Sequence, residues 1–221
     1  MTGVFRFPGV VLSPESIDGL TPAELKALLL EMLGRVRDLS IAEGKRLIGA
    51  LQALPDQIAE VLKHEDDLAD VAMQLAEAES LFFIGRVRGF PVAREGAQKF
   101  KEISYRHAEA YQTSELKHGP LALIDPEVPT VALVPHDELA ERNVGALHEI
   151  AARKGPLVVI THEDVDLGEV SARRIVVPRN EPELDPILLN VPLQLLAYHA
   201  AQHLGHDIDK PRNLAKSVTV E

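Results

Sequence analysis

The sequence predicts an α/β fold: a three-layer α/β/α domain with a five-stranded parallel sheet, preceded by a helical N-terminal region. The first observation is a set of short segments that suit buried strands, namely LFFIG, AEAYQ, TVALVP, LVVIT and RIVVP. The second is that longer amphipathic segments alternate with them, around residues 90–104, 138–154 and 186–204. Apolar strands that alternate with helices indicate parallel pairing, with helices covering both faces of the sheet.

The region before the first strand has a helical pattern. Residues 1–21 contain Gly, Pro and Ser, and they predict an extended, partly mobile arm. Thr21 suits a helix N-cap, and Glu24 completes a capping box with it. Further helices are predicted at residues 41–54, 55–63 and 65–79, and we find no strand signal in the first 80 residues.

These patterns divide the chain into three parts. The N-terminal arm and helical region covers residues 1–80, and the α/β domain covers residues 81–204. Residues 205–221 form a C-terminal tail with apolar residues that could pack and one late lysine, Lys216. Such a tail is either frayed or folded against the domain.

Composition and charge exclude several kinds of function. The chain has 221 residues, a net charge of −11 and a pI near 5.3, which argues against nucleic-acid binding as its main role. It contains no cysteine, which removes disulfides, thiolate metal ligands and a cysteine nucleophile. The first residues lack a signal-peptide pattern, and no apolar run approaches the roughly 18–20 residues that span a bilayer. We therefore expect a cytoplasmic protein that binds neither nucleic acid nor membrane.

The segment EGAQKFKEISYRHAEAYQTSELKHGP, residues 95–120, is dense in groups that can move protons. Glu95, Lys99 and Glu102 stand at i, i+4 and i+7, so they share one helical face. Such a face is either solvated and stabilised by charge pairs, or lines a cleft in which a carboxylate beside a lysine carries protons. Open parallel sheets bind ligands beyond the carboxyl ends of their strands. We expect the polar stretches 85–90 and 113–120 to lie there, and this segment to form one wall of an active site.

Two histidines flank the second predicted strand and the turn after it. His107 and His118 are each either a packed residue or a catalytic one, since imidazole titrates near neutral pH. The Gly-Pro pair directly after His118 indicates a tightly held turn.

Three more histidines follow one another on the last predicted helix. His199, His203 and His206 stand at i, i+4 and i+7, a spacing that suits a metal-binding face. However, Gly205 is expected to end the helix before His206, and histidines are favoured near helix C-termini without any metal. We therefore expect no metal site here.

Four stretches of the sequence resemble one family of enzymes. KEISYRHAEAY, ELKHGPLALID, VPLQLLAYH and PRNLAKSVTVE closely resemble the glucosamine-6-phosphate synthases, the glutamine–fructose-6-phosphate aminotransferases. The resemblance covers residues 51–221 and matches the second sugar-isomerase (SIS) subdomain and the C-terminal tail of those enzymes. It implies an SIS-type fold and a part in converting fructose-6-phosphate and ammonia to glucosamine-6-phosphate, with no cofactor.

The resemblance also implies roles for particular residues. Lys216 matches the lysine that forms a Schiff base with the open-chain sugar, and Glu102 matches the carboxylate that moves a proton between C1 and C2. His118 matches the ring-opening histidine, which in the family comes from the neighbouring subunit. The supporting positions that it implies are Glu95, Lys99, His107 and Ala215. The chemistry is sensible, because one carboxylate can reach two adjacent carbons and a lysine imine is an electron sink.

The sequence also departs from the family. The family carries a glutaminase domain with a cysteine nucleophile and a first SIS subdomain whose Ser/Thr-rich loop holds the sugar phosphate, and we see neither here. Val87 stands where the family usually has a glycine, and His203 and His206 have no family role. We expect a homodimer that binds a phosphosugar, with the helical region and residues 113–120 near the subunit contact.

Three functions remain open at this point. The first is that the chain is the isomerase half of the aminotransferase and is incomplete on its own, either as a fragment or as one half of a split enzyme that has a separate glutaminase and first-SIS chain. Alternatively, it is a non-catalytic SIS module that binds a phosphosugar and regulates another protein. The third possibility is a stand-alone SIS isomerase or deaminase that acts on another phosphosugar.

Overall fold

A computed structural model describes residues 5–7, 10–12 and 39–214. The chain divides into two compact units, residues 1–53 and 54–221. The predicted helix that begins at Thr21 lies outside the described residues. Within the described residues, no helix combines the length and the apolar character that crossing a membrane would require.

The first unit contains a small hairpin that the sequence analysis missed. Strand β1 (Phe5–Phe7) pairs antiparallel with β2 (Val10–Leu12), with Phe5 opposite Leu12 and Phe7 opposite Val10. The prediction that the first 80 residues carry no strand was therefore wrong. The missed signal is the pair of short runs FRF and VVL, whose aromatic and β-branched residues favour strands.

Helix α1 (Ile41–Leu62) is one continuous helix, whereas we predicted two that meet at Pro55. Its start is a capping box, in which the Glu43 N–H donates to Ser40 Oγ at 3.2 Å and the Ser40 N–H to the Glu43 carboxylate at 2.9 Å. Pro55 removes one helical hydrogen bond. Leu54 and Val61 bury their side chains on either side of this point, and that burial offsets the loss.

The second unit contains the predicted five-stranded parallel sheet. Its strands are β3 (Ser80–Gly85), β4 (His107–Gln112), β5 (Thr130–Val134), β6 (Leu157–Thr161) and β7 (Arg173–Val176). They lie in the order β4-β3-β5-β6-β7, and every neighbouring pair is parallel. The five strand predictions are confirmed to within one or two residues at each end.

Helices cover both faces of this sheet. One face carries α2 (Glu65–Glu77), α3 (Gly89–Ser104) and α5 (Asp185–His203), and the other carries α4 (Ala140–Ala151) and two 3₁₀-helices, Thr113–His118 and Pro120–Leu123. Side chains of β3 alternate between the two cores: Leu81 and Phe83 belong to the first, Phe82 and Ile84 to the second. The result is the predicted three-layer α/β/α arrangement.

The direction of each element decides which residues can meet. All five strands begin at one edge of the sheet, which we call the amino edge, and end at the opposite, carboxyl edge. Helices α3 and α5 each follow a strand and run back, so both end at the amino edge. The chain after α5 therefore starts beside the end of α3. Close packing joins these two helices at Gly96, where an added Cβ would lie 2.7 Å from Leu193 Cδ1.

Candidate active site

Three of the predicted side chains form a connected group on α3. Lys99 Nζ donates to the Glu102 carboxylate at 2.8 Å and lies 3.7 Å from a Glu95 oxygen. Gln98 Nε2 donates to the other Glu102 oxygen at 2.7 Å. The side chain of Glu102 is 23% exposed, whereas those of Lys99 and Glu95 are 42% and 48% exposed. The helical spacing thus predicted the group correctly, and Glu102 is its most protected member.

The group keeps Glu102 ionised. The hydrogen bond from Lys99, followed by the one from Gln98, lowers the pKa of the Glu102 carboxyl, and partial burial opposes this only in part. The same hydrogen bond to Glu102 raises the pKa of Lys99, which remains an ammonium group. A carboxylate that is deprotonated and still reachable by solvent can accept a proton from a ligand.

His107 lies at the same edge of the sheet but has other partners. Its Nδ1 is 2.8 Å from the hydroxyl of Ser80, the first residue of β3, and its Nε2 is 3.7 Å from the Glu109 carboxylate. His107 alternates along β4 with Ala108, whose side chain belongs to the core beneath α3. His107 therefore points toward the opposite face of the sheet and does not join the Glu102 group.

His118 lies at the other edge of the sheet. It ends the 3₁₀-helix that directly follows β4, and its side chain is exposed. Leu116 is buried in the second core, and Lys117 pairs with Glu149 of α4 at 2.8 Å, so this segment is firmly held. Gly119 has a φ of 151°, which supports the predicted tight turn.

Glu102 and His118 are therefore not neighbours within one chain. Glu102 lies in the last turn of α3, at the amino edge, whereas His118 lies beyond the carboxyl end of β4. The five residue steps of β4 alone span about 16 Å. Our expectation that segment 95–120 forms one wall of a site at the carboxyl edge was wrong, because α3 carries its carboxylates back to the opposite edge.

The beginning of the tail docks beside the Glu102 group. The Arg212 N–H donates to the Tyr105 hydroxyl at 2.9 Å, and the Arg212 guanidinium carbon lies 4.1 Å from the centre of the Tyr105 ring. The ring of His206 lies 4.5 Å from the same aromatic ring. Because Tyr105 follows Glu102 by three residues, this contact places Arg212 beside the end of α3. Ala215 and Lys216 lie outside the described residues.

The three histidines near the end of α5 separate to different partners. His199 Nε2 lies 3.2 Å from Glu65, His203 Nε2 lies 3.0 Å from Glu77, and His206 stacks on Tyr105. Helix α5 ends at His203 and Gly205 has a φ of 72°, as expected from the sequence. Among the described residues, no three His, Asp or Glu side chains are grouped to hold a metal ion.

A buried polar network at the carboxyl edge was not predicted. His162 and Asp185 are 0% and 1% exposed, and His162 Nε2 lies 3.6 Å from the Asp185 carboxylate. Arg88 Nε lies 3.3 Å from the same carboxylate, and its Nη2 donates to the His136 carbonyl at 3.0 Å. The His136 N–H in turn donates to His162 Nδ1 at 3.0 Å.

This network fixes the ionisation of His162. Because its Nδ1 accepts a hydrogen bond, that nitrogen carries no proton, and the proton of the neutral ring is on Nε2, facing Asp185. Burial lowers the pKa of His162, and the neighbouring Asp185 carboxylate opposes this only in part. The group thus ties together the loops after β3, β5 and β6 and the start of α5.

The loop between β3 and α3 contains a strained valine. Val87 has a φ of 45° and is 54% exposed. A β-branched residue rarely adopts this left-handed conformation, whereas glycine adopts it readily. The conformation explains why the resemblance places a glycine at this position.

The strand order 2-1-3-4-5 and the helices on both faces define a doubly wound α/β domain, a class that binds ligands beyond the carboxyl ends of its strands. The SIS domain model matches residues 74–204, more than half of the chain. The chain therefore belongs to the SIS domain family.

Sequence comparison identifies particular SIS proteins to which this chain is similar. A glutamine–fructose-6-phosphate aminotransferase (isomerizing) of Buchnera aphidicola is 46% identical over 177 residues, which cover 80% of this chain and 29% of the relative. The corresponding protein of Haemophilus ducreyi is 41% identical over 216 residues, covering 96% of this chain and 35% of the relative. This chain spans about a third of the length of these curated relatives.

A solved structure gives the same assignment. The C-terminal domain of glucosamine-fructose-6-phosphate aminotransferase from Francisella tularensis superimposes with a TM-score of 0.74 and 32% sequence identity. The match covers 85% of this chain and 52% of that domain. The chain is thus similar to an SIS region that makes up about half of the larger C-terminal domain.

Proposed function

We propose that this chain provides the isomerase half of a glutamine–fructose-6-phosphate aminotransferase, and that it converts fructose-6-phosphate and ammonia to glucosamine-6-phosphate. The observation that carries the proposal is the docking of Arg212 on Tyr105, three residues after Glu102. Four residue steps from Arg212 reach at most about 14 Å, and the proposal is that Lys216 uses this reach to approach the Glu102 carboxylate. The relatives named above carry this activity in their names.

The proposed reaction uses Lys216 and Glu102 in sequence. The unprotonated amine of Lys216 attacks the C2 carbonyl of the open-chain sugar, and loss of water leaves an imine. Ammonia then adds to C2 and releases the lysine amine, which leaves nitrogen on that carbon. Glu102 removes a proton from C1 and delivers one to C2, while the hydroxyl proton at C1 moves to nitrogen. The double bond thereby passes from C2–N to C1–O, and an aldose amine results.

The ionisation of the α3 group supports these roles. Lys99 and Gln98 keep Glu102 as a carboxylate at neutral pH, which is the form that a proton-accepting base requires. Lys99 is held as a cation by Glu102, so it is suited to charge support and unsuited to be the attacking amine.

Trapping of the imine tests the proposal. The chain is incubated with fructose-6-phosphate and sodium borohydride, digested and analysed by mass spectrometry. We expect the reduced sugar adduct on Lys216, and its loss in Lys216→Arg, whereas Lys210→Arg retains it. A label spread over surface lysines, or none at Lys216 under conditions in which the sugar binds, would contradict the proposed chemistry.

We further propose that a second copy of the chain supplies His118 for ring opening. The exposed position of His118 at the carboxyl edge, far from its own Glu102, supports contact with another subunit. Glu102→Gln and His118→Asn are each expected to be inactive alone. Mixing them restores up to about a quarter of the activity of an equal amount of wild type, since half of the dimers are mixed and each has one intact site. No recovery in a demonstrated mixed dimer would contradict the shared site.

We propose that the phosphate of the sugar is held by another SIS domain, either in the same longer protein or on a separate glutaminase and first-SIS chain, which we call the partner. This rests on the Francisella domain, of which the present chain matches 52%. Calorimetry compares the affinity for fructose-6-phosphate with that for fructose, and the difference is the contribution of the phosphate. We expect similar weak binding to the chain alone, and at least tenfold tighter fructose-6-phosphate binding once the partner is added. Tight binding to the chain alone, without imine trapping, would favour a regulatory phosphosugar-binding module.

A further inference from the structure

Tyr105 is held in an unusual conformation at the end of α3. Its φ is 59°, in the left-handed region, and its N–H donates to the Lys101 carbonyl to close the helix. Glycine is the usual residue at such a position, because it has no Cβ to clash. Strained residues of this kind persist where their surroundings hold them, and they cluster at functional sites.

The side chain of Tyr105 is engaged on two sides. Its hydroxyl accepts the Arg212 N–H at 2.9 Å, the Arg212 guanidinium stacks 4.1 Å from its ring centre, and the His206 ring lies at 4.5 Å. The neighbouring turn is also fixed: Ser104 Oγ donates to the Phe100 carbonyl at 2.6 Å and accepts the Arg106 N–H at 3.3 Å. The aromatic ring thus projects from a rigid helix end into the tail.

We propose that Tyr105 is a positioning residue that clamps Arg212 and thereby holds Lys216 over the substrate; this rests on the proposed function above. His206 also contacts Tyr105, so without the Arg212 contact ten residue steps, about 33 Å of extended chain, separate Lys216 from the nearest contact with α3. With the Arg212 contact, four residue steps and about 14 Å separate them. The smaller volume available to the amine raises its effective concentration at the sugar carbonyl.

The clamp contains two separable contacts. A hydrogen bond that joins the Tyr105 hydroxyl to the tail backbone survives any change of the Arg212 side chain, whereas stacking needs a planar cation over an aromatic face. Tyr105→Phe removes the hydrogen bond and keeps the ring. Arg212→Lys keeps the charge and removes the planar stack, without altering a residue of the helix.

Trypsin cleavage after residue 212 measures the clamp without any enzymatic assay, because the protease must withdraw the residue-212 side chain from the ring. Mass spectrometry follows the appearance of the peptide that begins at Asn213. We expect Tyr105→Phe to accelerate cleavage about fivefold, as the loss of one hydrogen bond implies, and Arg212→Lys by a similar factor. Tyr198→Phe is the matched control: that ring packs against His199, away from the tail, so its cleavage rate stays at the wild-type value.

The same variants then report on positioning. The rate of borohydride-trapped imine at Lys216 is expected to fall about fivefold in Tyr105→Phe, with the concentration of fructose-6-phosphate that gives half-maximal trapping unchanged. A lower trapping rate with an unchanged half-maximal concentration shows that the variant alters the position of the amine and leaves sugar binding intact. Circular dichroism with an unchanged melting temperature establishes that each variant is folded.

The outcomes distinguish this proposal from the proposed function. Faster cleavage in Tyr105→Phe and in Arg212→Lys, with no imine in wild type, would support the clamp and overturn the proposed chemistry. An imine in wild type with wild-type cleavage and trapping rates in both folded variants would overturn the positioning role. Faster cleavage with an unchanged trapping rate would also overturn it, because the tail would then find the sugar without the clamp.

Discussion

At the carboxyl edge of the sheet the Asp185 carboxylate is buried beside Arg88 and His162, whereas Glu102 and Lys99 at the amino edge are partly exposed. Arg88, His162 and Asp185 form a network that links neighbouring loops. Glu102 and Lys99 form a pair that solvent and a ligand can reach. One ion pair therefore lies in the interior of the fold, and the other lies where solvent reaches it.

The fold class and the Glu102 group point to opposite edges of the sheet. Open α/β sheets bind ligands at the carboxyl edge, at the point where the strand order reverses. Here Arg88 Nη2 and the His136 N–H have hydrogen-bond partners within the protein, whereas Arg88 Nε, Asp137 Oδ2 and His162 Nε2 are buried without a hydrogen bond. The tail, the strained Tyr105 and the ionised Glu102 all occur at the opposite edge.

The largest expected effect is on activity, in Glu102→Gln. Removal of a general base typically costs 10²–10⁴-fold in rate, and we expect kcat for glucosamine-6-phosphate formation to fall within about that range. Stability should change little, since the Lys99 pair is near the surface. Glu95→Gln is the control and should lose less than about tenfold, because Glu95 lies 3.7 Å from Lys99 and farther from the proposed chemistry. Equal losses in both variants would contradict a special role for Glu102.

The second largest effect is expected on the free energy of unfolding, in a variant of the network at the carboxyl edge. Asp185→Ala leaves Arg88 without its buried counter-charge, and breaking such a pair typically costs about 3–5 kcal/mol. Urea unfolding followed by circular dichroism measures the change. Glu102→Ala, treated identically, is expected to cost less than about 1 kcal/mol. If the two variants are destabilised equally, the contrast between the two edges is wrong.

A smaller effect is expected on the pH dependence of kcat/KM in the Lys99→Met variant. The hydrogen bond from Lys99 is the main cause of the lowered pKa of Glu102, so its loss raises that pKa toward the usual range. Glu102 acts as a carboxylate, and activity is lost as pH falls through its pKa. The acid side of the kcat/KM profile should therefore shift to higher pH in the variant. A shift to lower pH, or none, would show that Lys99 does not control the ionisation of Glu102.

The smallest predicted change is a gain in stability in Val87→Gly. Relief of the left-handed φ of 45° outweighs the added freedom of the unfolded chain, and we expect about 1 kcal/mol of stabilisation by chemical unfolding. Gly49→Ala is the comparison, because it removes a glycine from the interior of α1. Alanine is favoured over glycine in a helix, so we expect this variant to gain stability by a similar amount. A destabilised Val87→Gly would mean that the valine side chain makes contacts that compensate for its conformation.

Local patterns predicted the fold well. LVVIT coincides with β6, and the i, i+4, i+7 spacing correctly placed Glu95, Lys99 and Glu102 on one face of α3. These features depend on residues close in sequence, for which periodicity is a direct signal. The continuous α1 was missed because Pro55 was taken as a helix boundary, and the β1–β2 hairpin was missed because each of its strands is only three residues long.

The site was predictable only in part. Tyr105 and Arg212 are 107 residues apart, and no spacing rule connects an aromatic residue at a helix end to an arginine in a tail. The pair of His162 and Asp185 likewise forms only when two loops meet at one edge of the sheet. The edge that Glu102 occupies follows from the direction of α3, which periodicity alone does not give.

The most direct test of the account is a crystal structure of the chain, with its partner domain, bound to glucosamine-6-phosphate. The account predicts that Lys216 Nζ and a Glu102 carboxylate oxygen each lie within about 4 Å of C1 or C2 of the same sugar, with Arg212 still stacked on Tyr105. A sugar bound at the carboxyl edge near Arg88, or a Lys216 amine more than about 10 Å from Glu102 in every subunit, would contradict it.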